Sequence, residues 1–315
     1  MSRVLYLNMP EVDMRFNKEW NTWIPQVFEE YGHDVDVVNG PDFDFTLERN
    51  GFEDDSTVAF KLQELASIFV DYSLEDIDVV FVPHIEIPGL EVLEYYRRMN
   101  DLDFSIARVW HSGTYNSNHA LTKEGCSRIG NLVETVMLDI ADYVFVSSEY
   151  HKKIILENRI VSPQDIYATG LPIDLSEIQS YRRKAENREK IVVFPGRLER
   201  DKGYDRVKEL DMDGYDVVCT QEEMFTKDEY FELLGKSEYV YMPARHETFG
   251  IAVMEGIAAG AKPVVPDGLV YPEFIPEKYR GLNFVEDTEL PSYDIVEQFS
   301  HTNVIERWAE LVSKG

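Results

Sequence analysis

The stretch Arg245–Asp267, RHETFGIAVMEGIAAGAKPVVPD, carries three signals in succession: a polar loop ending at a glycine, an apolar helix, and a strand bounded by prolines. Ile251, Met254, Ile257, Ala258 and Ala261 recur at helical spacing, which predicts one buried helix face. The small run Ala258-Ala259-Gly260 predicts that this face lies close to a sheet. Loop, helix and strand in this order are a piece of an α/β fold. Glu247 falls just before the helix start, where backbone N–H groups lack partners and the helix dipole is positive, and Glu255 lies about a turn and a half inside. Such an N-terminus can receive a phosphate. A carboxylate only accepts hydrogen bonds and a sugar hydroxyl readily donates one, so both glutamates suit hydroxyls on whatever carries that phosphate. Read alone, the pair also fits an acidic helix start with a solvated face.

Glu247-x7-Glu255, with Phe249-Gly250 after the first Glu, Gly260 near the helix end and the preceding strand Tyr239–Met242 followed by Pro243, resembles the signature of family-4 retaining glycosyltransferases of the GT-B fold. Upstream, Ile191–Leu198 predicts a strand running into a turn, and Gly196-Arg197 with Lys202-Gly203 resembles the family's Gly-Arg-x4-Lys-Gly element. The chemistry of that element is plain. A departing nucleoside diphosphate gains negative charge on its terminal phosphate, and cations fixed beside those oxygens stabilise it. The alternative is a pair of surface-turn cations bridged to Glu199 and Asp201.

The resemblance implies catalytic roles for Glu247, His111, Arg197 and Lys202. It implies that Gly196, Arg197, Lys202, Glu247, Thr248, Phe249, Gly250, Ile251 and Glu255 hold a nucleotide-sugar donor, with Glu247 toward the transferred sugar and Glu255 toward the ribose. Neither metal nor cofactor is implied, because Arg197, Lys202 and the helix N-terminus supply the positive charge a metal would otherwise bring.

The chain of 315 residues is long enough for two domains, each with its own core. Its formal charge is −28, with 59 acidic against 31 basic residues, and neither half is basic: 13 basic and 30 acidic residues in Met1–Ile173, 18 and 29 in Asp174–Gly315. That opposes a groove for nucleic acid or an anionic membrane, which needs clustered Lys and Arg. Cys126 and Cys219 are far apart without CxxC spacing, so neither a disulfide framework nor a zinc site is indicated, and a reducing, cytoplasmic setting is expected. The opening MSRVLYLNMPEVD suits a first strand better than a signal peptide, and no run approaches the roughly 18 apolar residues of a membrane span.

In chain order, strand Arg3–Asn8, helix Glu19–Tyr31 (Trp20, Trp23, Ile24, Val27 and Phe28 on its apolar side) and strand His33–Val38 predict a β-α-β opening. The family's Gly-rich turn is replaced by Asn8-Met9-Pro10-Glu11, so no acceptor contact is assigned there. Pro41–Ser56 reads as a surface excursion. Then come a helix Thr57–Tyr72 with Leu62, Leu65, Ala66 and Phe69 at helical spacing, strand Asp78–Val82, helix Leu90–Met99, and strand Ser105–Trp110 leading to the loop from His111 to Asn116. His84 and His111 would both sit at carboxyl ends of strands, where open parallel sheets collect ligands. His111 resembles the histidine that family members hold near the donor sugar. A helix from about Gly130, strand Asp139–Ser147, helix Glu149–Asn158 and the turn Ile166–Asp174 complete the first domain. The stretch Leu175–Lys190, containing YRRKAENREK, reads as an exposed linker or helix of mixed charge. Strand Asp216–Thr220 and helix Lys227–Lys236 follow Gly203, leaving a sheet trimmed at one edge. Gly281–Val285 is expected as a closing strand, and Tyr293–Val312 as a final helix.

The expected fold is α/β, with two Rossmann-like domains facing across a cleft: residues 1–173, expected to be the acceptor side, and residues 174–290, expected to hold the nucleotide, with a helix at 291–315 that in the family often crosses back to the first domain. The expected activity is transfer of a sugar, with retained anomeric configuration, to a saccharide, small-molecule or protein acceptor. A nucleotide-sugar epimerase, a sugar phosphorylase and a non-catalytic carbohydrate-binding protein are the alternatives.

Overall fold

The computed structural model describes residues 2–9, 17–39, 55–83, 90–111, 113, 127–159, 162, 165–222 and 225–314, apart from the side chains of 17, 55–61 and 127–129. The turn at Pro10-Glu11, residues 41–54 of the surface excursion, His84, most of the loop after His111, and Cys126 lie outside the described residues. The chain forms two compact units. Unit 1 is Met1–Ser147, Lys152–Thr169 and Ile305–Gly315, and unit 2 is Ser148–His151 and Gly170–Val304.

Unit 1 is built from β1 (Arg3–Leu7), α1 (Asn17–Glu30), β2 (Asp34–Val38), α2 (Asp55–Asp71), β3 (Val79–Val82), α3 (Leu90–Met99), β4 (Ser105–Trp110), α4 (Ser127–Asp139), β5 (Tyr143–Val146), most of α5 (Glu149–Asn158) and β6 (Ile166–Ala168). Its sheet runs β2-β1-β3-β4-β5-β6 and every pairing is parallel. Strands covered on both faces read as unbroken apolar runs, and VVFV in β3 and YVFV in β5 do so. Ile140–Asp142, expected as strand, instead links α4 to β5. On α2 the buried face is Leu65 and Ile68 with Glu64, while Leu62 and Ala66 are exposed. Apolar spacing placed that face only in part: Leu65 is buried and Phe69 packs half-buried against the core and on Tyr96 of α3, ring centroids 5.2 Å apart, while Leu62 and Ala66 fall outside it.

Unit 2 contains α6 (Leu175–Ser180), β7 (Glu189–Phe194), α7 (Tyr204–Lys208), β8 (Asp216–Cys219), α8 (Lys227–Lys236), β9 (Ser237–Tyr241), α9 (Ile251–Ala258), β10 (Lys262–Val264), α10 (Tyr271–Phe274), α11 (Asp294–Glu297) and the first turn of α12 (His301–Val312). The order is β10-β9-β7-β8, again wholly parallel. With β8 at its edge, this four-stranded sheet is as small as the short Gly203–Tyr239 interval implies.

Four expectations change here. The close approach of α9 to the sheet is made by Gly256, whose absent Cβ would come within 2.6 Å of Val240 Cγ1, and Gly260 instead ends the helix at φ 89°. Gly281–Val285 forms no strand. It is held by the Leu282 N–H, which donates to the Val265 carbonyl at 2.8 Å, by Tyr239 Oη and Lys262 Nζ, which donate to the Val285 carbonyl at 3.0 and 3.1 Å, and by Phe284, whose ring packs on Tyr239 and Tyr241. The final helix breaks between Glu297 and His301, because Ile173 pairs with this segment: its N–H donates to Phe299 O at 3.0 Å, and His301 N–H donates back to its carbonyl at 2.9 Å. The break drops the Phe299 ring edge-on against Phe249 and Phe274, at 4.9 and 5.0 Å. From Ile305 onward α12 belongs to unit 1, where Trp308 donates to Thr169 Oγ1 at 2.7 Å and packs on Phe81 and Phe145.

The fourth change concerns YRRKAENREK. Arg182 donates to the carbonyls of Ile257, Ala258 and Pro291, and Arg188 to those of Ser237, Arg183 and Ala259. These half-buried guanidinium groups satisfy carbonyls that a helix C-terminus leaves without partners, and they sit at the favourable end of its dipole. The stretch is therefore a joint rather than a solvated linker.

Candidate active site

In unit 2 the strand order reverses between β7 and β9, so the loops leaving these neighbouring strands diverge and open a crevice at their carboxyl ends. Gly196 and Arg197 follow β7, and Ala244–Gly250 follows β9. The two loops are stitched together. Arg245 N–H and His246 N–H donate to the Asp201 carbonyl at 2.7 and 3.3 Å, and the Arg245 guanidinium grips both carboxylate oxygens of Asp205 at 2.6 and 2.8 Å. Gly203, at φ 80°, lies so near the Pro243 carbonyl that any side chain there would overlap it.

This stitching brings Lys202 to Glu247. Lys202 Nζ donates to Glu247 Oε2 at 2.9 Å, with both side chains largely buried. The other oxygen, Oε1, accepts from the Thr248 and Phe249 N–H groups at 3.0 and 3.4 Å. Burial pushes the Glu247 pKa upward, but Lys202, by charge and hydrogen bond, the Thr248 amide and His246 together outweigh it and hold the carboxyl below its ordinary value. Arg197 is half-exposed and pairs with Glu199 at 3.1 Å and with buried Asp201 at 2.9 Å. The sequence-level alternative of carboxylate-bridged cations thus describes Arg197, whereas Lys202 reaches across to the second loop.

The loop is held from behind. Ser148 Oγ donates to the Thr248 carbonyl at 2.8 Å, and the Phe249 ring is buried against Phe274 and Phe299, so Phe249 presents its backbone alone. Gly250 then turns the chain at φ 85° into α9, and no side chain caps that helix start. The contrast with α8 is direct, since Thr226 and Glu229 close α8 with a reciprocal capping box. Ile251 is the first residue of α9, and Glu255 projects from its second turn, where Glu255 Oε2 accepts from Tyr230 Oη at 2.8 Å.

His111 belongs to unit 1, just beyond β4. Its ring packs on Trp20 at 5.0 Å and Nε2–H donates to the Pro83 carbonyl at 3.1 Å, which sets the tautomer. Burial lowers its pKa to about 4, so it is neutral at physiological pH.

Within unit 2, then, the structure gathers Gly196, Arg197, Lys202, Glu247, Thr248, Phe249, Gly250, Ile251 and Glu255 around the ends of β7 and β9 and the start of α9. Ser148 and Tyr230 support them and carried no sequence signal of their own, and Asp201, read from the sequence only as a bridge to the turn cations, also holds the Arg245 and His246 amides through its carbonyl. Each lies far from its partner in sequence or sits inside a turn whose geometry only the fold defines. Among the described residues, no group of three or more His, Cys, Asp or Glu is arranged to hold a metal ion, and no helix is long and apolar enough to cross a membrane.

No family model matches the chain. A stretch of 52 residues, 16% of this chain, is 38% identical to the tRNA-queuosine alpha-mannosyltransferase of Drosophila melanogaster, and covers 14% of that protein. Solved structures resemble the chain over its whole length at low identity. The N-terminal domain of trehalose-6-phosphate phosphatase from Candida albicans aligns with a TM-score of 0.64 at 11% identity, covering 100% of this chain and 97% of that one. Sucrose-phosphate synthase from Thermosynechococcus elongatus aligns at 0.61 and 13%, covering 100% and 94%. An Anabaena protein solved in complex with UDP aligns at 0.57 and 12%, covering 99% and 95%. The α/β fold with parallel sheets is thus that of the GT-B glycosyltransferase structures.

Proposed function

We propose that this protein is a glycosyltransferase that moves a sugar from a nucleotide-sugar to an acceptor with retention of anomeric configuration. The observation that carries the reading is the Lys202–Glu247 pair beside Arg197, at the reversal of strand order and next to the uncapped start of α9. An α/β crevice of this kind suits a nucleoside diphosphate, and two cations beside an open helix N-terminus suit its phosphates.

Arg197 and Lys202 are assigned to the diphosphate, whose negative charge grows as the bond to the anomeric carbon breaks. The Gly250 and Ile251 amides, with Gly196, are assigned to the same phosphates, whereas the Thr248 and Phe249 amides hold Glu247. Glu247, kept ionised by Lys202, is assigned to hydroxyls of the transferred sugar, where a carboxylate also opposes the positive charge that develops on the ring. Glu255 is assigned to the ribose, with Tyr230 fixing one of its oxygens. For His111, which belongs to unit 1, only the family resemblance supports a place near the donor sugar, and being neutral it is given no cationic role. No metal is assigned, since the cations already neutralise the diphosphate. Retention rests on the resemblance to family-4 enzymes. The relative that modifies tRNA and the UDP-bound neighbour support a nucleotide-sugar donor. The 52-residue match is too short to carry that relative's acceptor over, and the charge of −28 favours a saccharide, small molecule or protein instead.

The test is to incubate the protein with UDP-, GDP- and ADP-sugars, with and without acceptors, following released nucleotide and the anomeric configuration of the product. Acceptor-dependent release with retained configuration supports the reading. Acceptor-independent interconversion of the donor would make the protein an epimerase, strict dependence on inorganic phosphate a phosphorylase, and binding without turnover a carbohydrate-binding protein.

A further inference from the structure

Tyr271 opens α10, and its side chain is fully buried. Its hydroxyl oxygen is sealed from solvent and has no hydrogen-bond partner among the described residues. A buried hydroxyl without a partner is costly, so its position calls for a reason. The position is informative. At Gly250, the residue that turns the loop into α9, the site a Cβ would occupy is 3.4 Å from Tyr271 Cε1, 3.7 Å from Tyr271 Oη and 3.5 Å from Glu247 Cγ. The edge of the phenol and the stem of Glu247 therefore border the same small space, which only a glycine leaves open. Burial and then the Glu247 charge push the Tyr271 pKa well above its ordinary value, so the phenol keeps its proton and can only be a neutral donor toward that carboxylate.

Among the described residues, Glu247 holds the Thr248 and Phe249 amides on Oε1 and Lys202 on Oε2. If Lys202 is drawn to a phosphate, as the proposed function requires, Oε2 is left buried without its cation. We propose that the Tyr271 hydroxyl is the partner Glu247 takes at that moment, making Tyr271 a positioning residue that keeps the carboxylate in place while Lys202 serves the diphosphate. The inference rests on the donor-site reading of unit 2, and its experiment separates the two.

Tyr271→Phe removes only the hydroxyl. Calorimetric titration of UDP, GDP and ADP, each against its own nucleoside, is expected to show about tenfold weaker binding of the preferred diphosphate and unchanged binding of the nucleoside, because only a phosphate draws Lys202 away. A purely structural tyrosine would weaken both alike, and unchanged diphosphate binding would overturn the inference while leaving the donor site standing. Failure of wild-type protein to bind any diphosphate would sink the donor reading instead. A ligand-free arm then still tests the contact. In the Lys202→Ala background, Glu247 depends on Tyr271, so Tyr271→Phe should lower the melting temperature there by several degrees, yet leave it unchanged or higher in the wild-type background. Equal shifts in both backgrounds would mean that Tyr271 and Glu247 are not coupled.

Discussion

The two ends of α9 are finished in opposite ways. At its C-terminus, Gly260 turns the chain at φ 89° and two guanidinium groups take up the carbonyls of Ile257, Ala258 and Ala259. At its N-terminus, Gly250 turns the chain at φ 85°, but no side chain caps the first turn, and Glu247 is directed to Lys202 and to amides ahead of the helix. Arg182, Arg188, Arg197 and Lys202 are used differently. Arg182 and Arg188 close a joint within unit 2. Arg197 and Lys202 are held by carboxylates, an arrangement that an incoming phosphate can compete with. The difference teaches that position relative to the helix dipole, rather than charge alone, separates a structural cation from a candidate catalytic one.

The strongest test of this contrast is Lys202→Ala, expected to cost about 2–4 kcal/mol of transition-state stabilisation, as for loss of one preorganised donor, read as kcat/KM on whichever nucleotide-sugar is used. The same variant should lose stability in a pH-dependent way. Because the Glu247 pKa is lowered in the folded protein, the pair's contribution is fully present above the unfolded carboxylate pKa of about 4.3 and disappears as pH falls through the lower folded value. The stability gap between wild type and Lys202→Ala should thus be widest near neutral pH and close below about pH 4. A gap independent of pH would show that Glu247 does not feel Lys202.

At the other end, Arg188→Ala should lower unfolding free energy by about 2–3 kcal/mol in denaturant titration, from the loss of charged hydrogen bonds to otherwise orphaned carbonyls. Affinity for a nucleoside diphosphate should be unchanged once the protein is folded. If it falls as far as in Lys202→Ala, the two ends are not separate devices.

A finer contrast lies within α9's own neighbourhood. Glu255→Gln should weaken nucleoside and nucleoside diphosphate alike by about 1–2 kcal/mol, since both carry the ribose and a charged acceptor is lost. Glu247→Gln should lower kcat more than it weakens binding, as expected of an interaction that strengthens as charge develops on the sugar. The reverse pattern in a parallel titration and rate measurement would exchange the two roles. The smallest expected effect is that of EDTA, which should leave turnover unchanged. Loss restored by Mg²⁺ or Mn²⁺ would mean that the cations at the N-terminal end are insufficient.

Local pattern made most of the fold legible. The helices Leu90–Met99, Glu149–Asn158 and Lys227–Lys236 and the strand Ser105–Trp110 lie where periodicity and turn residues predict them, because each is decided by its own apolar spacing and end signals. The order of elements around β7 and β9 likewise followed from sequence, whereas the Lys202–Glu247 contact is made by the fold, which stitches together two loops far apart in the chain. The expected long final helix was different. Its spacing is helical throughout, yet pairing with Ile173, more than a hundred residues earlier, breaks it at Phe299.

The sequence by itself determined the α/β alternation, the two glycine turns that bracket α9, and the residue types gathered near its start, because these depend on contacts between near neighbours. Only the tertiary structure decided that Phe249 is a core ring, that Arg182 and Arg188 finish a helix, that Gly256 rather than Gly260 meets the sheet, and that Tyr230 and Tyr271 stand behind Glu255 and Glu247. Each of those facts is a partnership between segments that the one-dimensional pattern does not pair. A buried polar group is settled by whichever distant segment satisfies it, and that choice is made only when the sheet and helices pack.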